Sequence, residues 1–161
     1  MLTLEAILEA HARIAPFVRR TPLVRSAYLS ARTGGEVWLK CECLQPTGSF
    51  KVRGAVNKVG LLSAEERARG IVTGSAGNHG LGVAFASQAW GGVQADVFCP
   101  ATAPLAKLDK LRWFEIGLHL AGETYEDAHQ AAEAHARQTG ATYVQAYDDL
   151  DVMAGQGTMA L

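Results

Sequence analysis

Residues 45–55 read Gln45-Pro46-Thr47-Gly48-Ser49-Phe50-Lys51-Val52-Arg53-Gly54-Ala55, and this run supports the strongest prediction in the chain. Pro46 and Gly48 are turn residues, so Lys51 is predicted to follow a turn and to begin a helix that runs to about Leu62. A helix N-terminus disfavours a cation, and a dry site would favour the neutral amine further. A neutral lysine amine attacks carbonyl groups and forms Schiff bases. A single lysine beside a turn is, however, most often an ordinary surface residue.

A second candidate site is the glycine-rich run Thr73-Gly74-Ser75-Ala76-Gly77-Asn78-His79-Gly80, which lies between a predicted strand and a predicted helix. Free amides at the start of a helix bind anions, and glycines let the backbone approach a ligand closely. Asn78 and His79 add polar side chains. The run therefore predicts a loop for a carboxylate or a phosphate, with a plain strand-to-helix connection as the alternative. Its glycine spacing differs from the dinucleotide fingerprint, and it lacks the Lys-Ser/Thr pair of a P-loop.

Strand and helix patterns alternate along the chain. The predicted strands cover residues 36–43, 71–73, 95–99, 118–121 and 142–147, and the main helices cover 4–14, 51–62, 79–90, 104–115 and 125–140. Ser63 with Glu66, and Thr124 with Asp127, have the spacing of capping boxes at helix starts. Gly54 and Gly60 are expected to weaken the helix that contains them. The repeated strand–helix order predicts a three-layer α/β unit with a mostly parallel sheet.

The three cysteines are Cys41, Cys43 and Cys99. An odd number cannot pair completely, and free thiols are typical of a reducing compartment. Cys41 and Cys43 could indicate a metal site, but zinc ligands usually have two or more residues between them and need a second ligand pair. The side chains of a strand alternate between its two faces, and along residues 37–43 this alternation instead places both cysteines on one face. We therefore predict that they are small buried apolar residues.

Composition excludes several classes of function. The chain has 161 residues, of which 48% are hydrophobic, and its formal net charge is -1. This length suffices for one domain with its own core. The charge gives no basic surface for nucleic acid or anionic lipid, and no apolar run has the length of a membrane span.

The run around Lys51 resembles the cofactor-lysine segment of the fold-type II pyridoxal-phosphate (PLP) enzymes, a group whose fold is similar to that of the tryptophan synthase β chain. Within that group it is similar to the branch that contains serine/threonine dehydratases (threonine ammonia-lyases) and serine racemases. The resemblance covers nearly the whole chain, and the motifs occur in the family's order. Besides the two runs above, they are Arg20-Thr21-Pro22-Leu23, Leu39-Lys40-Cys41-Glu42, the set Pro100, Pro104 and Lys107, and Ala154-Gly155-Gln156-Gly157-Thr158.

The resemblance implies a domain organisation. Family members are about twice as long and have two domains, so the chain is expected to be the N-terminal portion of such an enzyme. Residues 1–53 would begin the large domain, residues 54–147 would form the small α/β domain, and residues 148–161 would start the return into the large domain. A glycine-rich loop for the cofactor phosphate and a polar group facing the pyridine nitrogen are expected in the second half. The 161 residues alone are therefore expected to be inactive.

The resemblance also implies roles for single residues. Lys51 would be the catalytic residue and would carry PLP as an aldimine. Phe50 would pack beside the cofactor ring, and Asn78 would donate a hydrogen bond to the phenolic oxygen of that ring. Four residues would hold the substrate carboxylate: Ser75, Gly77, Asn78 and His79. No metal, nucleic acid or membrane partner is implied; the partners would be a small amino acid and, at full length, further copies of the chain.

The implied function is a cytoplasmic PLP-dependent lyase of amino-acid metabolism, for example in isoleucine biosynthesis. It would convert L-threonine or L-serine to a 2-oxo acid and ammonia by β-elimination. A serine or other amino-acid racemase is the alternative within the fold, but such racemases have a serine hydroxyl where this chain has Ala76. Val52 also departs from the Lys-Asp-Arg run typical of sulfhydrylases. An alternative of another class is a non-catalytic α/β binding domain without the cofactor site.

Overall fold

The computed structural model describes residues 1–161, which form eight α-helices and six β-strands. The helices are α1 (Leu4–Ile14), α2 (Ala27–Thr33), α3 (Lys51–Gly60), α4 (Ala64–Arg69), α5 (Asn78–Ala89), α6 (Leu105–Leu111), α7 (Tyr125–Thr139) and α8 (Leu150–Gly157). The strands are β1 (Leu23–Arg25), β2 (Trp38–Lys40), β3 (Ile71–Gly74), β4 (Ala95–Cys99), β5 (Gly117–Leu120) and β6 (Thr142–Tyr143). Short 3-10 helices cover Glu42–Leu44 and Thr158–Ala160. None of the helices is both long and apolar enough to cross a lipid bilayer.

The strands form two sheets. β1 and β2 pair antiparallel, and the other four strands form a parallel sheet in the order β5-β4-β3-β6. From β3 the chain proceeds outward through β4 to β5, and α7 then leads back so that β6 pairs with the other side of β3. The predicted parallel sheet is confirmed.

Helices cover both faces of the parallel sheet. Ile71 of β3 belongs to the buried cluster that contains residues of α3 and α5, whereas its neighbour Val72 packs with Ala128 and Ala132 of α7. Successive side chains of a strand point to opposite faces, so α7 lies on one face and α5 lies on the other. All four residues of β3 are buried, as expected for a strand in a sheet covered on both sides. The predicted three-layer architecture is confirmed.

Helix α3 packs between α5 and α8, and glycines allow the contact with α8. A Cβ atom on Gly54 would lie 2.7 Å from the Val152 carbonyl oxygen, and one on Gly155 would lie 2.5 Å from the Arg53 carbonyl oxygen. Both distances are too short for a real side chain. Gly54, which was predicted to weaken the helix, is therefore the residue that lets α3 and α8 touch backbone to backbone.

The prediction that Cys41 and Cys43 are buried on a strand face is wrong. β2 ends at Lys40, and the 3-10 helix that follows breaks the alternation, so Cys43 is exposed and Cys41 is half-buried. The turn points Glu42 inward instead, where it pairs with Arg53 at 2.7 Å. Cys99 of β4 is buried, and all three thiols are free.

Other boundaries shift in ways that have local causes. Both predicted capping boxes are present. The helix predicted over residues 104–115 is only Leu105–Leu111, because Phe114 turns back onto the core around Leu108. No pattern in the sequence predicts β1 or α2. Every residue of β1 is exposed, so an alternation of buried apolar and exposed polar residues does not mark this strand.

Candidate active site at the carboxyl edge of the parallel sheet

A cavity of about 490 Å³ lies where the parallel strands end. The segments after β3, β4 and β6 meet there with the first residues of α3 and α7. The strand order reverses at β3, because the chain adds β4 and β5 on one side of this strand and β6 on the other. Ligands of open α/β sheets bind at such a switch point. The lining residues are Lys51, Ser75, Ala76, Gly77, Asn78, His79, Pro100, Thr102, Ala103, Pro104, Lys107, Tyr125 and Tyr147.

A larger cavity, of about 780 Å³, lies elsewhere, between the segment around Pro22 and the last residues of the chain. None of the predicted site residues lines it. We therefore take the smaller cavity, which contains the predicted amine and the predicted anion loop, as the candidate site.

Lys51 is the first residue of α3 and is half-buried. Its Nζ donates a hydrogen bond of 2.7 Å to the Ala146 carbonyl oxygen, in the connection after β6. The Nζ atom lies 4.4 Å from the ring centroid of Tyr147 and 5.5 Å from that of Phe50. Burial lowers the pKa of Lys51 below its ordinary value, so a larger fraction of the amine is neutral.

The glycine-rich run forms a tight loop from the end of β3 to the first turn of α5. Gly77 occupies the N-cap position, where no side chain caps the helix. The first amides of a helix have no intrahelical partner, so this uncapped turn leaves donors free beside the cavity. A Cβ atom on Gly80 would overlap the Ser75 carbonyl oxygen, so only glycine allows the chain to fold back this tightly. Ser75 and Gly77 are half-buried and Asn78 is exposed.

The ring of His79 is not oriented to donate a hydrogen bond to a substrate carboxylate. The residue is 4% exposed, and its Nε2 lies 2.9 Å from the Val144 carbonyl oxygen. Burial lowers the pKa of His79 to about 4, helped by the positive charge of Lys51, so the ring is neutral near pH 7. Since Nε2 faces a carbonyl, Nε2 carries the proton and Nδ1 is a lone-pair acceptor, which is buried and has no partner. The ring has no donor left for a carboxylate, and only the backbone amide of His79 can serve the predicted role.

The structure thus brings most of the predicted residues together. Lys51, Ser75, Gly77, Asn78 and His79 all line one cavity, while Phe50 lies outside the lining but near the Lys51 amine. Pro100, Pro104 and Lys107, which carried part of the family resemblance, line it as well.

Sequence reasoning missed Thr102, Tyr125 and Tyr147. For Tyr147 a signal existed, because it ends the segment predicted as the last strand, and the carboxyl ends of parallel strands form such sites.

A buried ion pair fixes α3 two residues after Lys51. Arg53 donates to both carboxylate oxygens of Glu42, at 2.7 and 2.9 Å. Thr21 and Gln45 also donate to this carboxylate, and Arg53 reaches Thr158 at 3.2 Å. Burial by itself would raise the pKa of Glu42, but the hydrogen bonds from Arg53, Thr21 and Gln45 outweigh it and lower that pKa. The network ties three distant segments to the helix that carries the lysine.

Known enzymes match the sequence of this chain over its whole length. The chain is 48% identical over 161 residues to L-threonine ammonia-lyase of Thermotoga maritima, of which it covers 40%. It is 46% identical over 162 residues to the catabolic L-threonine dehydratase TdcB of Staphylococcus aureus, of which it covers 46%. In each case the whole chain is matched, so it spans less than half the length of these relatives.

Among solved structures, maize serine racemase superposes with a TM-score of 0.92 at 34% identity, over 98% of this chain and 48% of that one. The family model described as pyridoxal-phosphate dependent enzyme matches residues 14–161, a range that contains Lys51, the glycine-rich loop and every other residue that lines the cavity. The chain therefore belongs to the family of pyridoxal-phosphate dependent enzymes.

Proposed function

We propose that the chain forms part of an ammonia-lyase that converts L-threonine, L-serine or both to a 2-oxo acid and ammonia. The observation that carries the proposal is the single cavity in which the Lys51 amine lies beside the uncapped N-terminus of α5. The amine can act at the α-carbon of an amino acid, and the free amides at the start of α5 can bind its carboxylate. The names of the Thermotoga maritima and Staphylococcus aureus relatives support the same activity.

The residues around the cavity fit PLP. The pKa of Lys51 is lowered by burial, as an amine that condenses with a carbonyl requires. The ring centroids of Phe50 and Tyr147 lie 5.5 and 4.4 Å from Nζ, and both rings offer surfaces for a flat heterocycle. Asn78 is exposed at the cavity and can donate to a ring oxygen. When bound, PLP supplies an electrophilic carbonyl carbon and a ring that accepts the electrons released at the substrate α-carbon.

The chain's own residues then have distinct tasks. The free amides of the first turn of α5 bind and orient the substrate carboxylate. The hydroxyl oxygen of Ser75 accepts from the Gly77 amide at 3.3 Å, so its proton can be donated to the same carboxylate. The Lys51 Nζ, once neutral and free, removes the α-proton as a general base. The β-hydroxyl then leaves as water with the proton that Lys51 took up, and a water molecule hydrolyses the resulting enamine to the 2-oxo acid and ammonia.

A racemase is the second candidate, since maize serine racemase has a closely similar fold. Racemisation needs a proton donor on the face of the α-carbon opposite the lysine. Ala76 lines the cavity at the position that the resemblance assigns to this donor, and a methyl group has no proton to give. We therefore favour elimination over racemisation.

The wider role is also proposed. The word catabolic in the name of the Staphylococcus aureus relative supports amino-acid breakdown rather than isoleucine biosynthesis. Three free thiols support a reducing compartment such as the cytoplasm. The division into segments 1–53, 54–147 and 148–161, and assembly into a homo-oligomer, remain predictions from the family resemblance.

The activity is tested on a protein that contains this chain and has the full length of the relatives. With PLP and L-threonine or L-serine, we expect 2-oxo acid and ammonia in equal amounts, and no D-amino acid. Lys51→Ala should lower the rate by more than about 100-fold, because general-base catalysis alone contributes that much. Chiral chromatography that shows a D-amino acid as the main product would support the racemase instead.

A further inference from the structure

The connection between β6 and α8, residues 144–149, provides the contacts that hold the Lys51 amine. The last ladder bond of the sheet here runs from the Val144 amide to the Val72 carbonyl oxygen, at 2.8 Å. The Val144 carbonyl oxygen accepts from side chains instead, from His79 Nε2 at 2.9 Å and from Thr73 Oγ1 at 3.1 Å. Two side chains therefore replace the ladder at the point where the chain leaves the sheet.

The other end of this connection is held as well. Asp149 caps α8 through the amides of Asp151 and Val152, and Lys58 contacts the Asp149 carboxylate at 2.8 Å. Between the two anchors lie Ala146 and Tyr147, whose carbonyl oxygen and ring contact Lys51. A short segment fixed at both ends keeps these two groups in place.

The side chain of His79 is suited to be the first anchor, whereas only its backbone amide is free to bind the substrate carboxylate. Its ring is buried, its Nε2–H is used by Val144, and its Nδ1 has no partner. A hydrogen bond in such a dry place is costly to lose, since the carbonyl oxygen would remain buried without one of its donors. We propose that His79 is a positioning residue for Lys51, which holds the 144–149 connection so that Ala146 and Tyr147 keep the amine in the cavity.

The inference rests on the proposed function only in taking Lys51 as the reactive amine, and it can be tested without PLP. Two substitutions at His79 separate the effect of its hydrogen bond to Val144 from the effect of the size of its ring. The amide nitrogen of glutamine can reach the position of Nε2, so His79→Gln keeps a donor for Val144. Asparagine is one methylene shorter, so His79→Asn loses this donor. Thr73→Val removes the second donor to Val144 with almost no change of shape and serves if His79→Asn does not fold.

The readout is the pH dependence of reductive methylation of Lys51 by formaldehyde and cyanoborohydride, followed by mass spectrometry. Exposed Lys110 in the same protein is the internal reference. Burial is what lowers the Lys51 pKa, so releasing the connection should expose the amine and move the midpoint of its pH–rate profile upward. If the Lys51 amine became more accessible without a change in its pKa, the reaction would be faster at every pH, but the midpoint of the pH–rate profile would not move.

We expect an upward shift of the Lys51 midpoint in His79→Asn and in Thr73→Val, no shift in His79→Gln, and no shift for Lys110 in any of them. Circular dichroism and urea unfolding identify variants that are folded. An unshifted midpoint in folded His79→Asn or in Thr73→Val overturns the inference. A shift in His79→Gln as large as in His79→Asn overturns it too, because the effect would then come from the ring and not from the bond. Failure of the proposed function would appear in the ammonia assay and leave these midpoints unaffected.

Discussion

At the scale of single residues, the Lys51 amine is held by two groups from a distant part of the chain, the Ala146 carbonyl oxygen and the Tyr147 ring. A turn before a lysine and a glycine-rich strand–helix connection indicate Lys51 and the loop 75–79, but the family resemblance is needed to distinguish them from an ordinary surface lysine and a plain connection. The role of the His79 ring could not be predicted. It depends on the Val144 carbonyl oxygen, which is 65 residues away in the chain and only 2.9 Å away in space.

Asn78 should affect the cofactor more than the fold. Its side chain is exposed at the cavity, so Asn78→Ala should change the free energy of unfolding by less than about 0.5 kcal/mol. Loss of a hydrogen bond to the cofactor ring should weaken PLP binding by about 1–3 kcal/mol and shift the absorbance of bound PLP. Urea unfolding and PLP titration measure the two effects. A large loss of stability with an unchanged PLP spectrum would show that Asn78 is structural.

His79 should make the protein sensitive to acid. Its pKa in the folded protein is about 4 against an ordinary 6.5, so between these values the unfolded chain binds a proton that the folded protein does not. Stability is therefore present above pH 6.5 and is lost as the pH falls to 4, by about 3 kcal/mol from this one group. The neighbouring charge that contributes is Lys51.

The matched control for this acid sensitivity is His79→Gln, which keeps the donor to Val144 and removes the titration. Urea unfolding of both proteins from pH 7 to pH 4 gives the difference in unfolding free energy. We expect the unsubstituted protein to lose about 3 kcal/mol more than the variant over this range. Curves that stay parallel would contradict a depressed pKa of His79.

At the scale of helices and strands, local signals predicted starts better than ends. The capping boxes at Ser63 and Thr124 fix the starts of α4 and α7 correctly. The ends of β2 and β6 depend on tertiary contacts: the Glu42–Arg53 pair turns the chain after β2, and side-chain donors to Val144 replace the ladder after β6. Neither contact leaves a periodic pattern in the sequence.

The contact between α3 and α8 gives a prediction at this scale. Gly54→Ala should destabilise the protein by about 1–3 kcal/mol, because the added Cβ would lie 2.7 Å from the Val152 carbonyl oxygen and would force the helices apart. Alanine is the better helix former, so helix propensity alone predicts the opposite sign. Gly35→Ala is the control, since nothing lies within 4 Å of its Cβ position. Urea unfolding of the two variants decides between packing and propensity, and a stabilised Gly54→Ala protein would contradict the close contact.

At the scale of the whole molecule, the order of the strands creates the site. The sequence predicts the parallel three-layer architecture, because alternating strand and helix patterns have few packed solutions. It does not show that β6 returns to the far side of β3, which is what brings Ala146 and Tyr147 opposite Lys51. A site built from residues 51, 75–79 and 146–147 exists only in the folded chain.

Lys51 is proposed as the amine that binds PLP, and covalent trapping of bound PLP by reduction can test this. The protein is incubated with PLP, reduced with borohydride, digested and analysed by peptide mass spectrometry. We predict a pyridoxyl group on Lys51 well in excess of that on exposed Lys107 and Lys110, because burial lowers the pKa of Lys51 and the cavity surrounds its amine. Labelling that is equal on all three lysines, or that favours Lys107 or Lys110 over Lys51, would contradict the account.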